Sequence, residues 1–314
     1  FGKNRSSCAW SSFAAASLLA LALAGCGGGG SSETAAVVPP PVVVPPPAAP
    51  IVAVPTGTAP VTLSSLTADQ VAALTPTVTV GNVTISSPPT VTFAISDGPT
   101  SNNGIIGFGA STQAATATLP SLTYLRFALA KLVPGTNGSP SKWVSYIVTT
   151  VPTYKSATDK TVVPAAPRTP TGDREGTLVD NKNGTYTYTF ARDITKVKDI
   201  VAGATLTAPS VAADLGDLSY DPALTHRLAI QVSGGGIANP VNAIYDFIPA
   251  TGKAVAATDL QREVVVKAVC NECHEKLTLH GSRNETQYCV VCHTDQLKYG
   301  SANVASTAGR FPAL

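Results

Sequence analysis

From residue 77 onwards the chain repeatedly alternates apolar and polar residues with a period of two, the pattern of half-buried β-strands. Tyr186, Tyr188 and Phe190, for example, would lie on one face of a strand, with the intervening threonines on the other face. Gly, Pro, Asn and Asp interrupt the pattern often, so the strands are predicted to be short. Strands are predicted around residues 77–85 and 90–95 and over Leu122–Leu132, Trp143–Val148, Thr177–Val179, Thr185–Phe190, Arg227–Val232 and Ala243–Ile248.

These short strands predict a mainly β fold for residues 61–250. Asn181-Lys182-Asn183-Gly184 lies between two of the strands, and its composition favours a hairpin turn. Many short strands separated by turns are typical both of β-sandwiches and of Greek-key barrels. The predicted fold class is therefore a β-sandwich or a split Greek-key barrel, and the pattern does not separate the two.

Two capping boxes mark the predicted helices, because in each a Thr is followed three residues later by a Gln. Thr67–Gln70 predicts a short helix that ends before Pro76. Thr258–Gln261 predicts a second helix that leads into Cys270. The strand pattern ceases near residue 250, and residues 251–314 are predicted to form the start of a largely irregular or α-helical domain.

The first 25 residues have the features of a bacterial signal peptide. A basic start precedes an apolar run from Phe13 to Ala24, which is too short to span a bilayer as a mature helix. The run ends in Leu-Ala-Gly-Cys26, which predicts cleavage before Cys26 and lipidation of that cysteine; an ordinary secretory peptide is the alternative. Residues 26–60 are rich in Gly and Pro, which predicts an extended linker after the lipid anchor.

Charge and length narrow the functional classes. Charged residues make up 13% of the 314 positions and the net charge is +2, so no nucleic-acid partner is predicted. After residue 26 no stretch is long and apolar enough to span a membrane. The chain starts with Phe1 rather than Met and stops at Leu314, so we expect an N-terminal fragment of a longer protein.

The most informative chemistry is the spacing C-x-x-C-H, which occurs twice near the C-terminus. The two copies are Cys270-Asn271-Glu272-Cys273-His274 and Cys289-Val290-Val291-Cys292-His293. This spacing is the attachment signature of c-type haem, in which two thiols bind the porphyrin vinyl groups and the adjacent histidine binds the iron. Two covalent haem c sites are therefore predicted, with residues 251–314 packed around them.

Structural zinc is the alternative, because the four thiols also fit the spacing C-x2-C-x15-C-x2-C. A four-thiolate site does not need a histidine after each pair, however. The cysteine count also favours haem, since Cys8 would leave with the signal peptide and Cys26 would carry lipid. The four remaining thiols then belong to the two motifs, and none is left for a disulfide, which is unusual in an exported chain.

The chain contains no Met, which excludes the His/Met ligation found in many single-haem cytochromes. The sixth iron ligand is then another histidine, an exogenous molecule, or nothing. His280 is predicted to be a distal ligand of the second haem, or of a haem whose motif lies beyond the end of the chain. His226 is a weaker candidate, because it shares the parity of the apolar residues that follow it and is better explained as a histidine at a strand end that faces the core.

The sequence around the two motifs resembles the outer-membrane multihaem cytochromes of the OmcA/MtrC type. The resemblance rests on Arg262-Glu263-Val264-Val265, on the eight residues from Cys270, on Leu-His-Gly-Ser-Arg around His280, on Tyr288 to His293 and, more loosely, on Leu224 to Gln231. Members of that family are lipidated decahaem proteins in which β domains alternate with haem domains and each iron has two histidine ligands. This chain departs from the pattern by holding only two haem motifs.

The resemblance implies an electron carrier rather than an enzyme. It implies a lipid-anchored protein of the outer membrane, facing the cell surface, that passes respiratory electrons to extracellular acceptors such as metal oxides or flavins. Redox-partner cytochromes and an outer-membrane porin-type conduit are the implied partners, and terminal metal-reductase activity of the full-length protein is left open. The alternatives are a multihaem reductase of a small oxyanion or sulfur compound with one open-site haem, and a surface binding protein whose β region carries the function.

Overall fold

The computed structural model describes residues 52–208 and 210–294. The predicted signal peptide, the predicted lipidation site Cys26 and most of the predicted linker lie outside these residues. Within the described ranges, no helix combines the length and the apolar character needed to cross a bilayer.

The described residues form a mainly β structure that ends in two short helices. The strands are β1 (Val61–Thr62), β2 (Thr77–Thr84), β3 (Thr90–Ser96), β4 (Ile105–Ile106), β5 (Ser111–Thr112), β6 (Ser121–Leu122), β7 (Leu125–Val133), β8 (Lys142–Ser145), β9 (Thr153–Tyr154), β10 (Val162–Val163), β11 (Thr177–Asp180), β12 (Thr185–Thr189), β13 (His226–Gly234), β14 (Ile237–Ile248) and β15 (Lys253–Ala254). The helices are α1 (Ala68–Ala73), α2 (Val197–Ala202), α3 (Lys267–His274) and α4 (Thr286–Cys292), with a 3-10 turn at Leu63–Ser65.

Two antiparallel sheets make up the body of the fold. The first has the strand order β11-β12-β3-β2, and the second has the order β15-β14-β13-β7-β8. In the second sheet β13 is central, because it pairs with β14 on one side and with β7 on the other. The other described strands form three separate pairs: β1 with β4, β5 with β6, and β9 with β10.

Aromatic side chains pack the two sheets face to face. Phe127 of the five-stranded sheet stacks on Tyr188 of the four-stranded sheet, with ring centroids 3.8 Å apart, and meets the edge of Phe93 at 5.6 Å. All three rings are fully buried. Burial of one such side chain contributes roughly 1.5–3 kcal/mol. Because one core joins both sheets, the β region is a sandwich, one of the two predicted alternatives.

A buried ion cluster borders this aromatic core. One terminal nitrogen of Arg192 lies 2.9 Å from a carboxylate oxygen of Asp173 and 2.9 Å from one of Glu175, and its Nε donates to the Val148 carbonyl at 2.9 Å. Burial acts to raise the pKa of Glu175, but the Arg192 charge and its hydrogen bond hold the pKa below the ordinary value. Buried charges persist when they are paired and hydrogen-bonded in this way, so we regard the cluster as structural.

Two of the local predictions are confirmed. Residues 181–184 form the hairpin turn between β11 and β12, and Gly184 has a φ of +86°, a conformation that glycine adopts without strain. Helix α1 opens with the predicted capping box, in which Thr67 and Gln70 each accept a hydrogen bond from the other's backbone N–H.

The prediction of a helix that starts at Thr258–Gln261 is wrong. The chain there forms a turn instead, in which the Ala256 N–H donates to Asp259 at 2.7 Å. Tertiary contacts hold the following residues out of a helix, because the Thr225 hydroxyl donates to the Leu260 carbonyl at 2.6 Å. Three consecutive valines then disfavour helix by their branching at Cβ, and α3 starts only at Lys267.

Candidate functional site

The second motif lies on the outer face of the five-stranded sheet. Because side chains alternate between the two faces of a strand, every second residue of β7 and β13 lies on this outer face. We call these outer residues the apolar seat: Ala128, Ala130, Leu132, Trp143 and Ala229. Tyr288 and Val291 of α4 pack on this seat and are fully buried. Three alanines let the helix approach the sheet closely, so the sheet positions α4 and the motif that it carries.

Arg227 fixes the edge of this contact. It forms a two-point ion pair with Asp246, at 2.7 Å for both nitrogen–oxygen distances. Its guanidinium lies over the Trp143 ring at 4.3 Å and donates to the Gln287 carbonyl at 3.3 Å. A planar guanidinium makes all three contacts at once, which a lysine cannot do. Arg227 therefore joins the sheet directly to the first turn of α4.

The loop between the motifs is held by the polar end of the same sheet face. Gln231 donates to the Ser282 hydroxyl at 2.8 Å. Asn242 donates to the Ser282 carbonyl at 3.2 Å and accepts from the Asn284 N–H at 2.8 Å. These hydrogen bonds satisfy the loop backbone, so the loop has a defined position on the sheet before α4 begins.

The structure brings His280 close to His293. His293 directly follows α4, whereas His280 lies in a tight turn closed by a bridge between Leu279 and Arg283. The two imidazole centroids are 6.0 Å apart and the ring planes differ by 23°. Two imidazoles that share one metal ion would hold their ligating nitrogens about 4 Å apart and their ring centres further apart. The centroid separation therefore leaves room for one iron between the two residues.

The protonation of the second motif also suits ligation. Burial lowers the pKa of His293, and the nearby His280 and Arg283 lower it further. The neutral imidazole, which is the form that binds metal, is therefore favoured. Burial raises the pKa of the Cys289 and Cys292 thiols, with Arg283 acting in the opposite direction.

The first motif lies at the end of α3. Cys270 is partly buried, and Cys273 and His274 are exposed. The segment before α3 is tied to the start of α4 by a 2.6 Å hydrogen bond from the Thr286 hydroxyl to the Val265 carbonyl. A Lys267–Glu285 ion pair adds a second link. The starts of the two helices that carry the motifs are thus tied to each other.

An apolar cleft of about 240 Å³ opens between the segments that carry the two motifs. Its apolar lining residues are Val264, Val265, Leu277, Leu279 and Val290, and Cys289 also borders it. Val264 and Leu279 are 52% and 51% exposed, and both line this cleft. An apolar macrocycle attached through Cys289 would cover this surface, so the residues fit a porphyrin.

His226 lies away from both motifs, inside the sandwich. It is fully buried, its Nδ1 is 2.8 Å from the Leu224 carbonyl, and its Nε2 is 3.3 Å from the Tyr146 hydroxyl. Burial lowers its pKa to about 4, so the ring is neutral at physiological pH. Both ring nitrogens are bound within the core, so neither is available to bind iron. The interpretation of His226 as a distal ligand is therefore corrected, and it is a core histidine.

Zinc requires the four thiolates to surround one ion. Across residues 52–208 and 210–294, no group of three or more His, Cys, Asp or Glu side chains is gathered in that way. The thiols are instead divided between α3 and α4, which is the arrangement that two separate porphyrins need.

Sequence patterns indicated the thiols and histidines but assigned no role to Arg227 and Tyr288, or to Gln231 and Asn242 at the polar end of the sheet face. One signal was available, since Arg126, Ala128 and Ala130 share strand parity and are too small or too polar for the inner face. Their importance depends on which helix packs there, which the strand pattern does not reveal.

Comparison with known proteins gave matches to one kind of cytochrome. Residues 262–313 match the family model for domains II and IV of outer-membrane cytochromes of the MtrC/MtrF type. A curated relative, the multiheme cytochrome MtrC of Shewanella baltica (strain OS185), is 31% identical over 185 residues, which cover 55% of this chain and 22% of the relative. The chain thus spans less than a quarter of that relative's length.

Two solved structures are similar in part. One is the outer-membrane decaheme cytochrome OmcA, with 19% identity and a TM-score of 0.48 over 78% of this chain and 32% of that one. The other is MtrC from Shewanella baltica OS185, with 24% identity and a TM-score of 0.44 over 70% of this chain and 30% of that one.

Proposed function

We propose that this OmcA/MtrC-type multihaem c-type cytochrome is an electron carrier that passes respiratory electrons to acceptors outside the cell. The resemblance in its sequence to that type, and haem c as its cofactor, are confirmed by the family model and the curated relative over the residues that they match. The observation that carries the proposal is the pairing of His280 with His293, 6.0 Å apart, beside Cys289 and Cys292.

Each residue has a definite task in this proposal. Cys289 and Cys292 would hold one haem covalently, and His293 and His280 would both bind its iron. Cys270, Cys273 and His274 bind the other haem. Bound haem supplies a reversible one-electron change, and an iron with two histidine ligands leaves no position for a substrate. Such a site favours electron transfer over catalysis.

The finer features of the function follow from the similar proteins. We propose export by residues 1–25, lipidation at Cys26 and a surface-facing position on the outer membrane, with residues 61–250 as the β domain and 251–314 as the start of the haem domain. Metal oxides or flavins are the proposed acceptors, and partner cytochromes and a porin-type conduit are the proposed donors. The apolar cleft and the docking of α4 support a fixed second haem within this path.

The proposal is tested on the holoprotein by its haem content and absorption spectrum. A pyridine haemochrome assay should find haem at both motifs, and the haem at Cys289 and Cys292 should be low-spin in both oxidation states. Carbon monoxide should not bind that haem after reduction, because His280 occupies the position it would need. Rapid, stoichiometric binding of carbon monoxide at this haem would refute the carrier assignment for it.

A reductase with one open-site haem is the second candidate, and one observation favours it. In the described part of the chain His280 faces His293 and His226 is bound within the core, so neither is placed to bind an iron at His274. Full-length protein distinguishes the two functions. One high-spin haem that binds a small oxyanion or sulfur compound supports the reductase, and uniformly low-spin haems exclude it.

A further inference from the structure

Two arginines come together at the polar end of the sheet's outer face, next to the second motif. Arg126 on β7 pairs with Gln231 on β13 in the ladder. Arg283, in the turn that carries His280, donates from its Nε to the same Gln231 at 3.2 Å. Gln231 therefore lies between two guanidinium groups, one from the sheet and one from the haem-motif loop.

These positive charges are incompletely neutralised. Among the described residues, the side chain of Arg126 makes no hydrogen bond or ion pair, although the residue is partly buried. Its burial lowers its pKa, and the charges of Arg174 and Arg283 lower the pKa further. Glu175 offsets this only in part, because that carboxylate already pairs with Arg192 and lies near Arg174. Partly desolvated cations in such proximity favour the binding of an anion.

The space beside these arginines is large enough for a ligand group. A mainly polar cavity of about 580 Å³ is lined by Arg126, Arg283, Gln231, Ser233, Ser282 and His280. His280 is the proposed distal ligand, so this cavity lies beside the group that His280 would bind.

We propose that Arg126 and Arg283 form the binding site for the propionate carboxylates of the haem attached at Cys289 and Cys292. The inference rests on the proposed function, because it requires a haem at that motif. A guanidinium binds a carboxylate through two parallel hydrogen bonds, and the hydroxyls of Ser233 and Ser282, which accept from the Gln231 amide, can donate their own protons. The haem brings the anions that this part of the sheet lacks.

The site has an electrostatic consequence for the haem. Positive charge near the iron favours the reduced form, which carries one positive charge less than the oxidised form. Loss of one arginine therefore leaves propionate charge uncompensated and lowers the reduction potential. Arg126 is the informative residue to change, because it approaches from the sheet and has no structural hydrogen bond to lose.

The test uses the holoprotein with Arg126→Gln, Arg126→Lys and, as a charge-matched control, Arg168→Gln, which is exposed and does not line the cavity. In Arg126→Gln, spectroelectrochemical titration should show that the reduction potential of one haem is lower by ~59 mV. For a one-electron change this corresponds to a decrease of about tenfold in the equilibrium constant for reduction. Resonance Raman should show a shifted propionate bending band. Arg126→Lys should retain most of the potential, and Arg168→Gln should change neither signal.

Two further outcomes would overturn the proposed propionate site, and a third would count against the proposed function. Full haem content in Arg126→Gln, with an unchanged potential and propionate band, overturns the proposed site. A wild-type potential that depends on added phosphate, and loses that dependence in Arg126→Gln, also overturns it, because a dissolved anion then occupies the arginines. Absence of haem at Cys289 and Cys292 in the wild-type protein counts instead against the proposed function.

Discussion

His280 and His293 lie with their ring centroids 6.0 Å apart, although one belongs to a turn and the other follows the last turn of α4. His293 caps α4 through a hydrogen bond from its N–H to the Cys289 carbonyl, whereas His280 belongs to no helix, so no single helix brings the two together. The turn is held on the sheet through Ser282 and Asn284, and α4 is held there through Tyr288 and Val291. The pairing of the two imidazoles is therefore a product of the β-sandwich beneath them.

Replacement of His280 by Ala should convert one haem from low-spin to high-spin, because the iron at His293 loses its sixth ligand. The absorption and electron paramagnetic resonance spectra measure the change, and imidazole in solution should reverse it. His226→Gln serves as the control and should leave both spectra as in the wild type. A low-spin spectrum in His280→Ala would show that His280 does not bind this iron.

Replacement of Cys289 and Cys292 by Ser should remove one covalent haem and leave the other in place. The pyridine haemochrome absorbance per chain should fall by the contribution of one haem. The matched variant, with Cys270 and Cys273 changed to Ser, should have the same effect. A single site built from all four thiols would instead be lost in either variant.

The sandwich should become less stable as the pH is lowered, and His226 is the cause. Its pKa is about 4 in the folded protein and about 6.5 when unfolded, so the unfolded chain takes up the proton first as pH falls. The contribution of neutral His226 to the free energy of unfolding is fully present above pH about 6.5. It is lost between about 6.5 and 4, to a total of roughly 3 kcal/mol.

Urea denaturation at a series of pH values measures this effect. His226→Gln should be less stable than the wild type at pH 7, because its hydrogen bonds to Leu224 and Tyr146 are altered, and it should lack this part of the pH dependence. Equal pH profiles for the two proteins would exclude His226 as the source.

Replacement of Tyr288 by Ala should release α4 from the apolar seat while the sandwich stays folded. Loss of a buried aromatic ring costs about 3 kcal/mol, so amide exchange in α4 should rise on the order of 100-fold. Exchange in β13 should remain slow. Ile200→Ala, in which an exposed side chain of α2 is truncated, is the control and should leave α4 unchanged. Equal exchange rates in all of these proteins would mean that α4 does not depend on this contact.

Much of the sandwich was predictable because its strands have one buried face. Tyr186 and Tyr188 alternate with threonines, so the sequence alone assigns both rings to the inner face of the strand. Both rings are fully buried in the structure. The helix at Thr67–Gln70 was predictable for a similar reason, since a capping box is satisfied within four residues. The turn at Thr258–Gln261 was not predictable, because the contact of Thr225 with Leu260 overrides the local preference for a helix.

The sequence by itself determined the chemistry of this protein: paired thiols at fixed spacing with an adjacent histidine specify attachment to a porphyrin, whatever the fold around them. Only the tertiary structure decided which histidine lies opposite which, and which cations lie beside the motif. His280 meets His293, His226 is enclosed in the core, and Arg126 meets Arg283 across Gln231. Spacing along the chain specifies covalent chemistry, whereas distances between remote residues depend on how a helix and a loop dock on a sheet.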